Sequence, residues 1–176
     1  MNLLKSFFNI SENKAFKTLF VWVILISMLY SLLGVLRHEH FQSGGFDLGI
    51  YDQAVWQYSR FEFPYNTIKE RFILGDHLTL TLPLIAPLYY VWDNVIILLI
   101  FQSFFITFSA LGIYKISRIR KHTPYISLLV SITFSLFYGI QTAVYFDFHP
   151  IVIAVGILVW LAFFFEAKKW NFFFQL

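Results

Sequence analysis

Thr18-Leu-Phe-Val-Trp-Val-Ile-Leu-Ile-Ser-Met-Leu-Tyr-Ser-Leu-Leu-Gly-Val-Leu36 is an uncharged run of 19 residues. At 1.5 Å per residue, a helix of that length covers about 28 Å, close to the roughly 30 Å hydrocarbon core of a bilayer. Lys5, Lys14 and Lys17 precede the run and Arg37 follows it. A cleaved signal peptide has an apolar region of only about 7–15 residues and a small-residue cleavage site. This run is longer, and Leu33-Gly-Val-Leu-Arg37 is a poor site. The stretch therefore reads as a retained membrane span.

The rest of the chain agrees. Of its 176 residues, 59% are apolar and 13% charged, against about 25% charged in a soluble domain. A soluble globule is excluded. There is no cysteine, which excludes disulfides, iron–sulfur clusters and thiolate zinc sites. A metal would have to be held by Asp, Glu, His and backbone oxygen, a donor set suited to Mg²⁺, Mn²⁺ or Ca²⁺.

Three more apolar runs, at about 94–114, 124–146 and 151–166, complete four expected spans. With the N-terminus in the cytoplasm, nine of the 13 Lys and Arg residues fall inside. Arg37, Arg60, Lys69 and Arg71 fall in an outer loop, 37–93, and eight of the ten acidic residues lie outside. This is the asymmetry of the positive-inside rule. Residues 78–92 are apolar but short and carry Pro83 and Pro87, so they are expected to form an interfacial or re-entrant helix pair, broken by its prolines. Within the outer loop, Leu48, Tyr51, Val55 and Tyr58 repeat at helical spacing, with Asp52, Gln53, Trp56 and Ser59 on the other side. An amphipathic helix over about 47–60, lying on the membrane with Asp47 as its N-cap, is expected. The fold class is thus an all-α polytopic membrane protein forming one transmembrane unit over 1–176. The closing Asn171-Phe-Phe-Phe-Gln-Leu176 reads as the start of a further apolar segment, so a longer protein is expected.

Three polar clusters sit at the ends of the apolar stretches: Phe46-Asp-Leu-Gly-Ile-Tyr-Asp-Gln53, Gly75-Asp-His77 and Phe146-Asp-Phe-His-Pro150. Each has an ordinary reading, as a helix cap or solvated helix face, a polar turn, and the tip of a hairpin respectively. Together they place Asp47, Asp52, Asp76, His77, Asp147 and His149 on one side of the membrane. Carboxylates and imidazoles are costly to desolvate at a membrane edge, so their convergence points to a functional site. Gln141, Tyr145 and His149 are spaced i, i+4, i+8 and are expected to carry a polar edge of the third span toward it.

Phe46-Asp-Leu-Gly-Ile-Tyr-Asp-Gln-Ala-Val-Trp56, Asp76-His77, Ala86-Pro-Leu-Tyr89, Phe101-Gln102 and Phe146-Asp-Phe-His-Pro150, in that order, resemble the DUF2079 family of predicted prokaryotic membrane proteins. That family in turn resembles the GT-C-type glycosyltransferases, polytopic enzymes that use lipid-linked sugars and carry a catalytic aspartate in the first outer loop. The resemblance implies the N-terminal part of a GT-C-like fold in the plasma membrane. It also implies transfer of a sugar from a polyprenyl-phosphate donor on the extracytoplasmic side, with Asp47 as general base. Asp52, Gln53, Arg71, Asp76, His77, Asp147 and His149 would then contact substrate, Arg71 at the donor phosphate. Asp47, Asp76 and His77 are candidates for a divalent cation such as Mg²⁺ or Mn²⁺. The partners expected are the bilayer and the lipid-linked donor, with no nucleic acid. The competing expectation is a non-enzymatic transporter or cation-binding membrane protein built on the same groups.

Overall fold

The computed structural model describes residues 10–167. Lys5, Lys168, Lys169 and the run from Asn171 lie outside them. Helix α1, Glu12–Glu39, contains the whole opening apolar run and starts at Ser11, whose hydroxyl accepts from the Lys14 N–H. Helix α2 is Gly45–Ser59. A two-stranded antiparallel hairpin follows, β1 (Tyr65–Asn66) with β2 (Arg71–Phe72), then a 3₁₀ turn at Ile73–Gly75. Two short helices come next, α3 (Thr81–Ile85) and α4 (Leu88–Val91). Helix α5 is Ile96–Ile119, α6 Pro124–Ser135, α7 Tyr138–Tyr145 and α8 Pro150–Glu166.

Three helical stretches are long and apolar enough to cross a membrane: α1, α5, and α6–α7 taken together, Pro124–Tyr145. Helix α8 has 17 residues, or about 26 Å, a little short of the hydrocarbon thickness. Thr81–Val91 would measure only about 16 Å even if straight, and it is split around Ala86-Pro87 because proline lacks the N–H that would continue the helix.

Helix α5 runs through the middle, packed on α1, α6 and α8. The seams use small residues, as membrane helices do when lipid supplies no hydrophobic drive to associate. Ser27 is hydrogen-bonded to Thr107, Ser127 donates to Ser117 (2.9 Å), and Trp22 Nε1 donates to Ser135 Oγ (2.9 Å). At the α5–α8 crossing, a Cβ on Gly156 would lie 2.6 Å from the Phe105 ring, and one on Gly112 would lie 2.9 Å from Val159 Cγ1. Gly156→Ala is therefore expected to lower stability in detergent by about 1–3 kcal/mol, as overpacking does. Gly49→Ala, whose Cβ would meet only the end of Ile68 at 3.4 Å, should change it far less. Thermal unfolding of the two variants side by side checks this.

One end of the bundle is closed by Glu12, which accepts from Tyr114 OH (3.0 Å) and pairs with Arg118, and by Arg120–Glu166. The other end carries Arg37, the segment 40–95 and the α7–α8 turn.

The third apolar run is not the continuous helix expected over 124–146. It breaks at Leu136–Phe137, where neither proline nor glycine stands. The carbonyls freed there are taken by side chains: Ser135 O accepts from Tyr30 OH (2.9 Å) and Leu136 O from Gln141 Nε2 (2.6 Å). Gln141 thus serves its own backbone, and His149 lies beyond the end of α7. The expected edge of Gln141, Tyr145 and His149 does not form.

Candidate functional site at the Arg37 end

The chain leaves α1 through a left-handed Phe41 (φ 58°) and enters α2 at Gly44-Gly45. Gly44, not Asp47, is the N-cap, and no side chain caps the helix. Asp47 stands in the first turn, where the positive end of the helix favours its charge. Among the described residues no hydrogen bond or ion pair holds its carboxylate. Leu48, Ile50, Tyr51, Ala54 and Val55 are buried, so the apolar stripe faces the protein. Ser59, expected on the polar side, is buried too and donates to Trp56 O (2.6 Å).

Tyr51 lies one turn after Asp47 on the same side of α2. Its ring meets Phe148 (6.1 Å between centroids) and His149 (5.4 Å) edge-on. Burial pushes the Tyr51 hydroxyl pKa up, and the charges of Asp47 and Asp76 push it further. A cavity of about 500 Å³ opens beside it. Tyr51, His77, Thr79, Thr81 and His149 supply its polar lining, and Leu78, Leu80, Ile151 and Ala154 its apolar lining. His149 Nδ1 is buried and has no hydrogen-bond partner among the described residues. The backbone of His149 is fixed from below, its N–H donating to Gln102 Oε1 (2.7 Å) while Gln102 Nε2 donates to Asp147 O (3.2 Å). Asp76, next to the cavity residue His77, pairs with Lys69. That bond holds the Asp76 carboxyl below the usual carboxylate range.

The remaining sequence-derived residues lie elsewhere. Asp147 is buried, 1% exposed, and accepts from Arg37 Nη1 (3.0 Å) and Gly44 N (2.7 Å). Arg37 also donates to the carbonyls of Phe146 and Gln42. This pair ties the end of α1 to the start of α2 and to the α7–α8 turn. Gln53 Oε1 accepts from Thr67 N (3.0 Å) and its hydroxyl (3.2 Å), pinning the hairpin. Arg71 is exposed on that hairpin, its Nε donating to Lys69 O (3.3 Å). Among the described residues no three His, Asp or Glu side chains are grouped to hold a metal, and of Asp47, Asp76 and His77, Asp76 pairs with Lys69. Sequence reasoning missed Tyr51, which the i+4 spacing from Asp47 could have indicated, and Lys69, which only the hairpin brings in.

Asp52 faces away from this cavity. It accepts from Tyr89 OH and borders a second hollow of about 610 Å³ with His38, Trp56 and Asp93. Burial raises the Asp52 pKa; the Tyr89 hydrogen bond opposes the shift and nearby Asp93 adds to it. A carboxyl raised in the folded state is ionised first in the unfolded chain. Stability therefore falls as pH climbs from the ordinary carboxylate value, about 3.9, through the raised one. Asp52→Asn keeps an acceptor for Tyr89 and removes that titration. It should unfold at higher temperature than wild type at neutral pH and lose the advantage below about pH 4.

A family model described as "Predicted membrane protein (DUF2079)" matches residues 37–176. The match begins at Arg37 and takes in the whole cavity. No curated protein and no solved structure matches the chain.

Proposed function

The chain belongs to the DUF2079 family of predicted membrane proteins, and from that premise we propose that it is a membrane glycosyltransferase acting on a polyprenyl-phosphate sugar. The observation that carries this reading is the mixed polar and apolar lining of the cavity. Imidazoles and hydroxyls of Tyr51, His77, Thr79, Thr81 and His149 line it together with apolar Leu78 and Leu80 and with Ile151 and Ala154 on the first turns of α8. An amphiphile with a polar head and an isoprenoid tail matches a lining of both kinds.

In the reaction, Asp47 accepts the proton of an acceptor hydroxyl as its oxygen attacks the anomeric carbon from the face opposite the phosphate. The bond from that carbon to the phosphate oxygen breaks, its electron pair leaves with the polyprenyl phosphate, and the configuration inverts. A free carboxylate at a helix start suits a base. His77 and His149 hold the sugar or phosphate. Asp147 and Gln53 serve the scaffold, and no step is routed through a cation. Membranes carrying the protein, given a radiolabelled polyprenyl-phosphate sugar, should move label into an acceptor, and membranes lacking it should not. Label that never leaves the lipid would refute the reading.

The proposal includes four crossings, α8 being the fourth, and a cytoplasmic N-terminus in the plasma membrane. Lysine and arginine crowd the Glu12 end of the bundle, and carboxylates the Arg37 end. Cysteines placed at exposed Glu62 and His122 should react with an impermeant reagent from opposite sides, Glu62Cys from outside. Reaction of both from one side would reverse this.

A transporter is the second reading. The break at Leu136–Phe137 favours it, because transporters place sites at discontinuous helices. A hollow of about 240 Å³ opens near the break, between Tyr30, Tyr138, Gln141, Thr142 and Tyr145. It carries no carboxylate, imidazole or amine, which leaves a cation without a counter-charge. Cation flux into vesicles holding the protein would decide for it.

A further inference from the structure

The Lys69–Asp76 pair lies beside the cavity, one residue along the chain from its lining. The hairpin delivers Lys69 to the start of α2, its ammonium 5.4 Å from the centre of the Phe46 ring. Asp76 precedes His77, which lines the cavity. Asp47 and Asp76 both act on the buried Tyr51 hydroxyl, so the three groups share one electrostatic neighbourhood. The pair is partly shielded, with Lys69 23% and Asp76 16% exposed. Lys69 has no carboxylate partner other than Asp76 among the described residues. An ammonium on a flexible stem can change partners by turning about its own bonds.

We infer that Lys69 is the phosphate-positioning residue of this site and that Asp76 is its resting counter-ion, displaced when the anionic head of a polyprenyl phosphate binds. This deepens the glycosyltransferase reading and rests on it. In the empty site the two opposite charges cancel, so the cavity rim is not left with a bare cation beside lipid. When the phosphate arrives, Lys69 leaves Asp76 and donates to a phosphate oxygen, a charge-assisted bond that persists on the leaving group. Asp76 thus competes with the ligand. A merely structural salt bridge has no such competition.

The two halves of the pair therefore have opposite expected effects. Binding of undecaprenyl phosphate to the full chain in detergent micelles would be measured by tryptophan fluorescence, with the parent polyprenol and inorganic phosphate as comparison probes. Lys69→Met should raise Kd for the lipid phosphate about tenfold or more, the equivalent of one charge-assisted bond. Asp76→Asn should lower Kd several-fold, and Lys69→Arg should stay near wild type. Neither change should alter binding of the polyprenol, which tests the chain alone. Inorganic phosphate should bind weakly and respond to the two substitutions in the same directions. Wild-type affinity in Lys69→Met, or equal weakening by both substitutions, would overturn the inference while leaving the lipid-phosphate site standing. A wild-type protein that binds undecaprenyl phosphate no better than the polyprenol would overturn the inference and the glycosyltransferase reading together.

Discussion

Asp47→Asn is expected to lower sugar transfer by about 10²–10⁴-fold, the usual cost of losing a general base, while the protein stays folded in the membrane. Asn occupies nearly the same volume but cannot take a proton at neutral pH. The structural cost is small because Asp47 caps nothing: Gly44 holds the N-cap position, and no hydrogen bond or ion pair among the described residues depends on the Asp47 carboxylate. What is lost is the attraction of a negative charge to the helix start, about 0.3–1 kcal/mol. Transfer and the amount of folded protein in the membrane would be measured on the same preparations. Full transfer by the Asn variant would remove Asp47 from the chemistry. If the variant transfers nothing yet unfolds at the wild-type temperature, the loss belongs to the reaction.

The largest effect on stability is expected at Arg37. Arg37→Met leaves Asp147, 1% exposed, without its counter-charge, and removes the donor to the Phe146 and Gln42 carbonyls. Breaking one side of a buried pair costs roughly 3–5 kcal/mol. Asp147→Asn should cost less, since the amide oxygen still accepts from Gly44 N. The double variant Arg37→Met, Asp147→Asn should be more stable than Arg37→Met alone, because the stranded charge is gone. Unfolding in detergent measures the cycle. Strict additivity would show that the two side chains do not depend on each other.

The long elements of the fold could be read from the chain because an apolar run of that length has few alternatives. Residues 18–36 lie within α1, and the run at 151–166 is α8 less its first residue. The stripe of Leu48, Tyr51, Val55 and Tyr58 marked a helix but read as a face lying on the membrane, whereas Leu48, Tyr51 and Val55 are buried against the protein. The break between α6 and α7 could not be read, because no proline or glycine stands at Leu136–Phe137. It is sustained by Tyr30 from a distant helix and by Gln141 turning back. The same holds within the site. Asp147 was legible as a polar residue at a membrane edge. Its partner Arg37, 110 positions away, was not, and the pairing turns a surface-looking carboxylate into an internal brace. Lys69 reaches the site only because a hairpin of four paired residues folds it there, a signal too short for any periodicity.

The location of the lipid phosphate tests the central proposal most directly. A polyprenyl phosphate carrying a photoactivatable group near its head would be bound to the protein and irradiated, and the labelled residues mapped by mass spectrometry. Label is expected on Tyr51, His77, Thr79 and His149, competed away by unlabelled polyprenyl phosphate but not by the polyprenol. Label confined to Tyr138–Tyr145 at the α6–α7 break, or spread over the lipid-facing helices without competition, would contradict a donor site beside Asp47.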